Sequence, residues 1–421
     1  MQSSIKLRLT VMNFLQFAVW GAYLTSMGRY LSTAGFGSEI GNFYAMQGLV
    51  SLFMPALMGI VADRWIPAQR LLGVCHMLAG MLMLGVFLYT QTDAPSYPSL
   101  FALYSLSVAF YMPTLALSNS VAYTSLDQAG LDLVKSFPPI RVFGTVGFIC
   151  TMIAVSLLGL EATSGQFAVS AIISLVLAVY AQTLPNCPTA PKGQSKSLVE
   201  ALGLRAFVLF KQRKMALFFI FSMLLGVSLQ ITNGFANPFI STFGEIPAYA
   251  DTFGVKYANI LISLSQLSET LCILLIPFAL RRFGIRRVML IAMVAWVLRF
   301  ALLGLGNPGS GVWLFLLSMI VYGVAFDFFN VSGSLFVDQE TDPSIRSSAQ
   351  GLFMIMTNGI GATLGSLGAQ AVINHFVYSE HDTTAILAGW SMSWYIFAAY
   401  AAVVAVLFAL LFRYNTVTEA K

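Results

Sequence analysis

Two carboxylates interrupt long apolar stretches of this chain. Glu269 lies near the middle of residues 258–280, and Asp327 lies within residues 311–336. An ionisable side chain at membrane depth costs at least about 2.5 kcal/mol on insertion scales, so it usually faces a bundle interior or a water-filled cavity. There a carboxylate can take up a proton or accept hydrogen bonds from hydroxyl groups. We therefore predict that Glu269 and Asp327 line one central site, with Asp327 as the main candidate for proton coupling and Glu269 as the second.

Each acid also has a structural alternative. Glu269 can form a salt bridge with Arg299, and Asp327 can form a similar pair with Arg141. For Asp327 the two roles coincide, because a carboxylate that must be either protonated or ion-paired acts as a switch between conformations. Gln266 lies one helical turn before Glu269, which places both side chains on the same face.

Aromatic and amide side chains recur at helical spacing near these acids. Tyr322 and Phe326 lie on the turns beside Asp327 and can either sandwich a flat ring or pack as ordinary core aromatics. Gln230 and Asn233 belong to one stripe of another predicted helix. Each amide offers a donor and an acceptor side by side, which suits the edge of a nucleobase but equally suits a bridge between two helices.

A third group combines a cation with a hydroxyl and an aromatic ring. Arg141, Thr145 and Phe148 fall at positions i, i+4 and i+7, which is one face of a helix. A guanidinium presents a fork of donors to sugar hydroxyls or a carboxylate, and an aromatic ring can stack on a flat ring. The alternative is that Arg141 marks a membrane boundary, as we expect for its counterpart Arg346.

The composition indicates that membrane-spanning segments carry these residues. Of 421 residues, 58% are hydrophobic and only 9% are charged, and the mean hydropathy is +0.80. Such a chain is a polytopic membrane protein, with about twelve apolar runs long enough to cross a bilayer. The net charge of +5 comes from lysines and arginines concentrated in alternate loops, which predicts cytoplasmic termini and disfavours nucleic-acid binding. We find no metal-ligand spacing and expect no metal or cofactor.

The apolar runs form two similar halves. We predict an N-terminal six-helix half over residues 1–184, a cytoplasmic linker over 185–214 and a C-terminal six-helix half over 215–421. The tripeptide Val-Ala-Phe occurs at residues 108–110 and 324–326, and the motifs PPIR and PSIR begin at residues 138 and 343. The repeated motifs occur in the same order, about 205 to 217 positions apart, which is typical of a transporter built from two repeats.

The motifs themselves resemble a known family. Gly59, Asp63, Arg64 and Arg70, after the second span, are similar to the cytoplasmic loop motif of the major facilitator superfamily. Within it, the chain resembles the nucleoside:proton symporter family, through the stretches MPALMGIVADRW, FPPIRVFGTVGF, FSMLLGVSLQITN, SLSQLSETL, SMIVYGVAFDFFN and SSAQGLFMIMTNG. The resemblance implies an all-α fold of twelve transmembrane helices in two six-helix halves. It also implies nucleoside-binding roles for Arg141, Phe148, Gln230 and Asn233. From helical spacing and side-chain chemistry we add Thr145, Gln266, Glu269, Tyr322 and Phe326 as candidate nucleoside contacts.

The function implied is proton-coupled nucleoside uptake by alternating access, with the nucleoside bound at mid-membrane between the halves. We expect a monomer in a bacterial cytoplasmic (inner) membrane. A sugar:proton symporter is the first alternative, although the fourth span has no acid to pair with Arg141. A drug:proton antiporter and a nucleoside sensor that does not transport are weaker alternatives. An enzyme is disfavoured because no acid–base or metal cluster is present near a membrane surface.

Overall fold

The protein is entirely helical in the part that the computed structural model describes, which is residues 2–189, 198–201 and 204–414. Residues 190–197 and 202–203 of the predicted linker, and the last seven residues of the C-terminal half, lie outside the described residues. The α-helices are α1 (Gln2–Gly21), α2 (Met27–Thr33), α3 (Ile40–Ser51), α4 (Met54–Arg64), α5 (Ala68–Tyr89), α6 (Tyr97–Gln128), α7 (Leu133–Leu157), α8 (Gly165–Ala181), α9 (Leu198–Ala201), α10 (Arg213–Gly226), α11 (Ile231–Thr242), α12 (Pro247–Ala250), α13 (Phe253–Lys256), α14 (Ala258–Leu305), α15 (Val312–Glu340), α16 (Arg346–Met354), α17 (Ala362–Ile373) and α18 (Thr383–Leu411). Segments Ile355–Gly361 and Asn374–Tyr378 are π-helical.

Helix α14 is too long to be a single span. Its 48 residues would extend about 72 Å at 1.5 Å per residue, more than twice the hydrocarbon thickness of about 30 Å. Gly284 within it has a φ of 75°, which glycine adopts readily because it has no Cβ. Arg299 Nη1 donates to Ser265 Oγ over 3.3 Å although the two residues are 34 positions apart. The chain therefore folds back at Gly284, and α14 supplies two spans.

With α14 counted as two spans, the structure has the predicted number of spans. In the described part of the chain, nine helical stretches are long and apolar enough to cross a membrane, and Gly165–Ala181 is a shorter apolar helix. Counting α14 twice and adding α1 and α8 gives twelve. The predicted twelve-span, all-α membrane fold is confirmed.

The contacts between Cα atoms divide the chain into two compact units. One comprises Met1–Phe36 with Met46–Leu202, and the other comprises Gly37–Ala45 with Gly203–Lys421. In the first unit α1 packs on α7, and α5 packs on α6 and α8. In the second unit α10 packs on the π-helical segment Ile355–Gly361, and α14 packs on α15 and α18. The same pairing of spans thus occurs in both units.

Glycines permit close helix contacts in the second unit. A Cβ on Gly365 would lie 2.6 Å from the carbonyl carbon of Val227, at the end of α10, and a Cβ on Gly361 would lie 2.8 Å from Gly226 Cα. Gly368 is one turn further along α17, and a Cβ there would meet no atom within 4 Å. Gly361 and Gly365 therefore serve this contact, and Gly368 does not.

We expect Gly365→Ala to destabilise the purified protein by about 1–3 kcal/mol, because the added methyl group must displace the backbone of α10. Gly368→Ala is the matched control on the same helix and should be neutral or slightly stabilising, since alanine favours a helix over glycine. The measurement is thermal unfolding in detergent. Equal unfolding temperatures for the two variants would contradict the packing described here.

Candidate functional site

The predicted face of α7 lies against α1 in the first unit. The guanidinium carbon of Arg141 is 4.0 Å from the ring centroid of Phe17 on α1. Phe148 is buried and meets the edge of Trp20 at a centroid distance of 6.3 Å. The two helices approach closely because Gly147 has no Cβ, which would otherwise lie 2.8 Å from the carbonyl carbon of Phe14. Sequence reasoning missed Phe17, since no local pattern shows which residue of α1 faces Arg141.

A buried polar network holds the same part of α1 in place. The ring nitrogens of His76 lie 2.8 Å from Gln16 Oε1 and 2.9 Å from Ser174 Oγ. Gln16 Nε2 donates to Thr114 Oγ1 over 2.7 Å. Because the Gln16 amide oxygen can only accept, His76 Nε2 is the donor in that bond. The network joins α1, α5, α6 and α8, so His76 and Gln16 are structural links.

The amide side chains Gln230, Asn233 and Asn237, at the start of α11 and within it, differ in burial and in partners. Asn233 Nδ2 donates to Gln230 Oε1 over 2.8 Å, and both side chains are half-buried. Asn237 is fully buried and donates to Asn259 Oδ1 over 2.9 Å, which links α11 to α14. The pair that retains exposure is the pair predicted to contact a ligand, whereas Asn237 makes the helix–helix bridge.

The two acids are close enough to interact electrostatically, although they belong to different helices, α14 and α15. Gly323 is the local cause, because a Cβ there would lie 2.6 Å from the carbonyl carbon of Ser268. The Ser268 hydroxyl also donates to the carbonyl oxygen of Ile320. The structure therefore brings the segment around Glu269 beside the segment around Asp327, which sequence separation alone does not reveal.

Asp327 presents an unoccupied acceptor inside the second unit. Its side chain is buried, with the residue 6% exposed, and Oδ2 accepts no hydrogen bond from the residues that the structure describes. Gln266 Oε1 is likewise buried without a donor in the described chain, while Glu269 is half-buried. Both oxygens can therefore accept a hydrogen bond, and a carboxylate oxygen can also take up a proton.

The two aromatic rings beside Asp327 stack on each other. The ring centroids of Tyr322 and Phe326 are 5.6 Å apart with an interplanar angle of 11°. A base cannot enter between rings at this distance, so the sandwich that we considered from sequence is not formed. The reason is that residues four apart on a helix face each other directly. Phe326 is half-buried and Tyr322 is 7% exposed, so Phe326 is the more accessible of the two rings.

Arg299 does not pair with Glu269. Its guanidinium donates to Ser265 Oγ, Thr232 Oγ1 and the carbonyl oxygen of Ser318, at 2.8–3.3 Å. These acceptors are all neutral, so the proposed salt bridge is absent from the contacts of Arg299.

The predicted loop motif straddles the connection between α4 and α5. Gly59, Asp63 and Arg64 lie on the last turns of α4, and Arg70 lies on the first turn of α5. Arg64 and Arg70 are exposed and Asp63 is half-buried. The positions fit a surface motif at a helix connection, and its role in transport stays a prediction.

The chain matches known proteins over nearly its full length. A family model described as nucleoside H+ symporter matches residues 3–417. The xanthosine permease of Escherichia coli (strain K12) is 49% identical over 98% of this chain and 97% of that protein. Nucleoside permease NupG of the same organism is 46% identical over 98% and 97%. A crystal structure of a mutant of nucleoside transporter NupG has a TM-score of 0.91 and 44% identity, covering 97% of this chain and all of that chain.

Proposed function

Because this chain belongs to the nucleoside H+ symporter family, it is a proton-coupled nucleoside transporter, and we propose that Asp327 couples the proton while Glu269 binds the nucleoside. The fold is that of the major facilitator superfamily, and the protein is not an enzyme. Membership of this family sets aside the sugar-symporter, drug-antiporter and sensor alternatives.

One observation supports Asp327 as the coupling acid. Its Oδ2 atom is buried without a hydrogen-bond donor in the described structure, and Glu269 is close enough to repel it electrostatically. Protonation removes the negative charge of one of two neighbouring acids. In the proposed cycle, the protonated Asp327 permits nucleoside binding and reorientation of the site to the cytoplasm. Release of nucleoside and proton then restores the outward state.

The nucleoside contacts follow from the chemistry of each group. We assign base stacking to the outer face of Phe326, with Tyr322 behind it, and hydrogen bonding of the base edge to Gln230 and Asn233. Glu269 carries a carboxylate that can accept two ribose hydroxyl protons, with Gln266 one turn away.

The residues on α7 are further proposed contacts of the nucleoside. Arg141 and Thr145 offer donors to the nucleoside, and Phe148 offers a ring. The partner of Arg141 on α1 is Phe17, at 4.0 Å, so the cation–π contact orients the guanidinium fork.

The protein is a multi-pass membrane protein. Its membrane, its oligomeric state and the side on which its termini lie are proposed here. We assign it to a bacterial inner membrane as a monomer, with both termini in the cytoplasm. The distribution of lysine and arginine among the loops supports this orientation.

The function is tested by uptake of radiolabelled uridine and adenosine into proteoliposomes. With an imposed inward proton gradient, we expect both nucleosides to accumulate, and a protonophore should reduce the ratio of internal to external nucleoside to one. Lactose, a disaccharide with many hydroxyl groups but no base, should not enter. Uptake of lactose without uptake of either nucleoside would show that the protein is a sugar symporter.

A further inference from the structure

Arg299 is a buried cation whose partners are all neutral. The residue is 2% exposed and lies on the second span of α14. In the described part of the chain, no carboxylate lies within ion-pairing distance of its guanidinium, and its Nε atom has no acceptor. A charge in such surroundings is costly, so packing alone would favour a neutral residue at this position.

The hydrogen bonds of Arg299 reach three other spans. Nη1 donates to the carbonyl oxygen of Ser318 at 2.8 Å and to Ser265 Oγ at 3.3 Å, and Nη2 donates to Thr232 Oγ1 at 3.1 Å. Each acceptor neighbours a proposed nucleoside contact: Thr232 precedes Asn233, Ser265 precedes Gln266, and Ser318 is one turn before Tyr322. One side chain thus ties together the helices that carry these contacts.

Arg299 also contacts the aromatic stack, through the ring of Tyr322. Its guanidinium carbon is 4.5 Å from the ring centroid of Tyr322, and Trp296 meets the same ring edge-on at 5.9 Å and 87°. Phe326 stacks on the Tyr322 ring and is the more exposed of the two aromatic residues. Tyr322 is therefore a buried ring that contacts both the buried cation and the half-buried phenylalanine. A cation over an aromatic face is attracted most strongly where water is excluded.

We propose that Arg299 is a positioning residue for nucleoside recognition, which fixes the Tyr322–Phe326 stack and the neighbouring helices without touching the nucleoside. The proposal rests on the proposed function, because it concerns the same site. In this role the charge of Arg299 is needed, because a neutral donor could make the hydrogen bonds but not the cation–π contact with Tyr322.

The first test compares Arg299→Gln with Arg299→Lys. Glutamine keeps hydrogen-bond donors and loses the charge, whereas lysine keeps the charge. Isothermal titration of purified protein with uridine should show a Kd about tenfold higher for Arg299→Gln and less than about threefold higher for Arg299→Lys. Arg286→Gln is the matched control, since Arg286 also lies on α14 but donates to the backbone oxygens of Phe412 and Ala409. Its Kd should be unchanged.

A double-mutant cycle separates positioning from a general structural effect. If Arg299 acts through the ring of Tyr322, adding Arg299→Gln to Tyr322→Leu should raise the Kd by less than about twofold. An equal increase in both backgrounds would overturn the proposal. If Arg299→Gln does not fold, Thr232→Val removes one of its acceptors, and a Kd that does not rise would overturn the proposal. A wild-type protein that binds no uridine would instead overturn the proposed function.

Discussion

We expect the Asp327→Asn protein to equilibrate uridine across a membrane but to accumulate none against its concentration gradient. Asparagine has nearly the same shape as aspartate, but it cannot gain and lose a proton. With one proton per nucleoside, a gradient of one pH unit supplies about 1.4 kcal/mol, which supports an approximately tenfold accumulation by the wild type. The mutant should reach a ratio of one, while exchange of internal for external uridine continues.

The measurement is proteoliposome uptake with the proton gradient imposed and then collapsed, together with uridine counterflow, which needs no net proton movement. Asp338→Asn is the control on the same helix, because Asp338 pairs with Arg346 at 3.2 Å and its side chain is 51% exposed. That variant should accumulate uridine like the wild type. If Asp327→Asn still accumulates uridine and Glu269→Gln does not, the coupling acid is Glu269.

The second large effect is expected for Glu269→Gln, which should weaken uridine binding by about 10- to 100-fold. A hydrogen bond to a charged group contributes about 1.5–3 kcal/mol, and the glutamine side chain cannot accept from two hydroxyl groups with two anionic oxygens. The decisive comparison uses 2′,3′-dideoxyuridine, which lacks both hydroxyls. The wild type should discriminate strongly between the two ligands, and Glu269→Gln should lose most of this discrimination.

Isothermal titration with both ligands measures this discrimination directly. Glu340→Gln is a suitable control, since Glu340 forms a partly exposed ion pair with Lys214 at the end of α15. Its affinity for both ligands should equal that of the wild type. An unchanged preference for uridine in Glu269→Gln would show that other groups recognise the ribose hydroxyls.

Helical spacing in the sequence predicts some features of the candidate site but not the contacts between its helices. The face of Arg141, Thr145 and Phe148 follows from helical spacing, and the structure places all three on α7. The partners of these residues were not predictable. Phe17 contacts Arg141 from α1, more than a hundred positions earlier, and the spacing within either helix carries no information about such a contact.

The sequence alone predicted the membrane character, the number of spans and the family. These properties depend on local patterns, because a bilayer requires about 20 apolar residues for each helical crossing wherever the span lies in the fold. It also identified Glu269 and Asp327, since a charge within such a run is conspicuous without any knowledge of its neighbours.

The three-dimensional structure was needed to show how these elements meet. It showed that Asn237 bridges to Asn259 and that Arg299 binds neutral acceptors on three other spans. Each of these outcomes depends on packing in three dimensions. Where a glycine has no Cβ, two helix backbones can approach closely. Side chains that are far apart in the sequence then pack against each other.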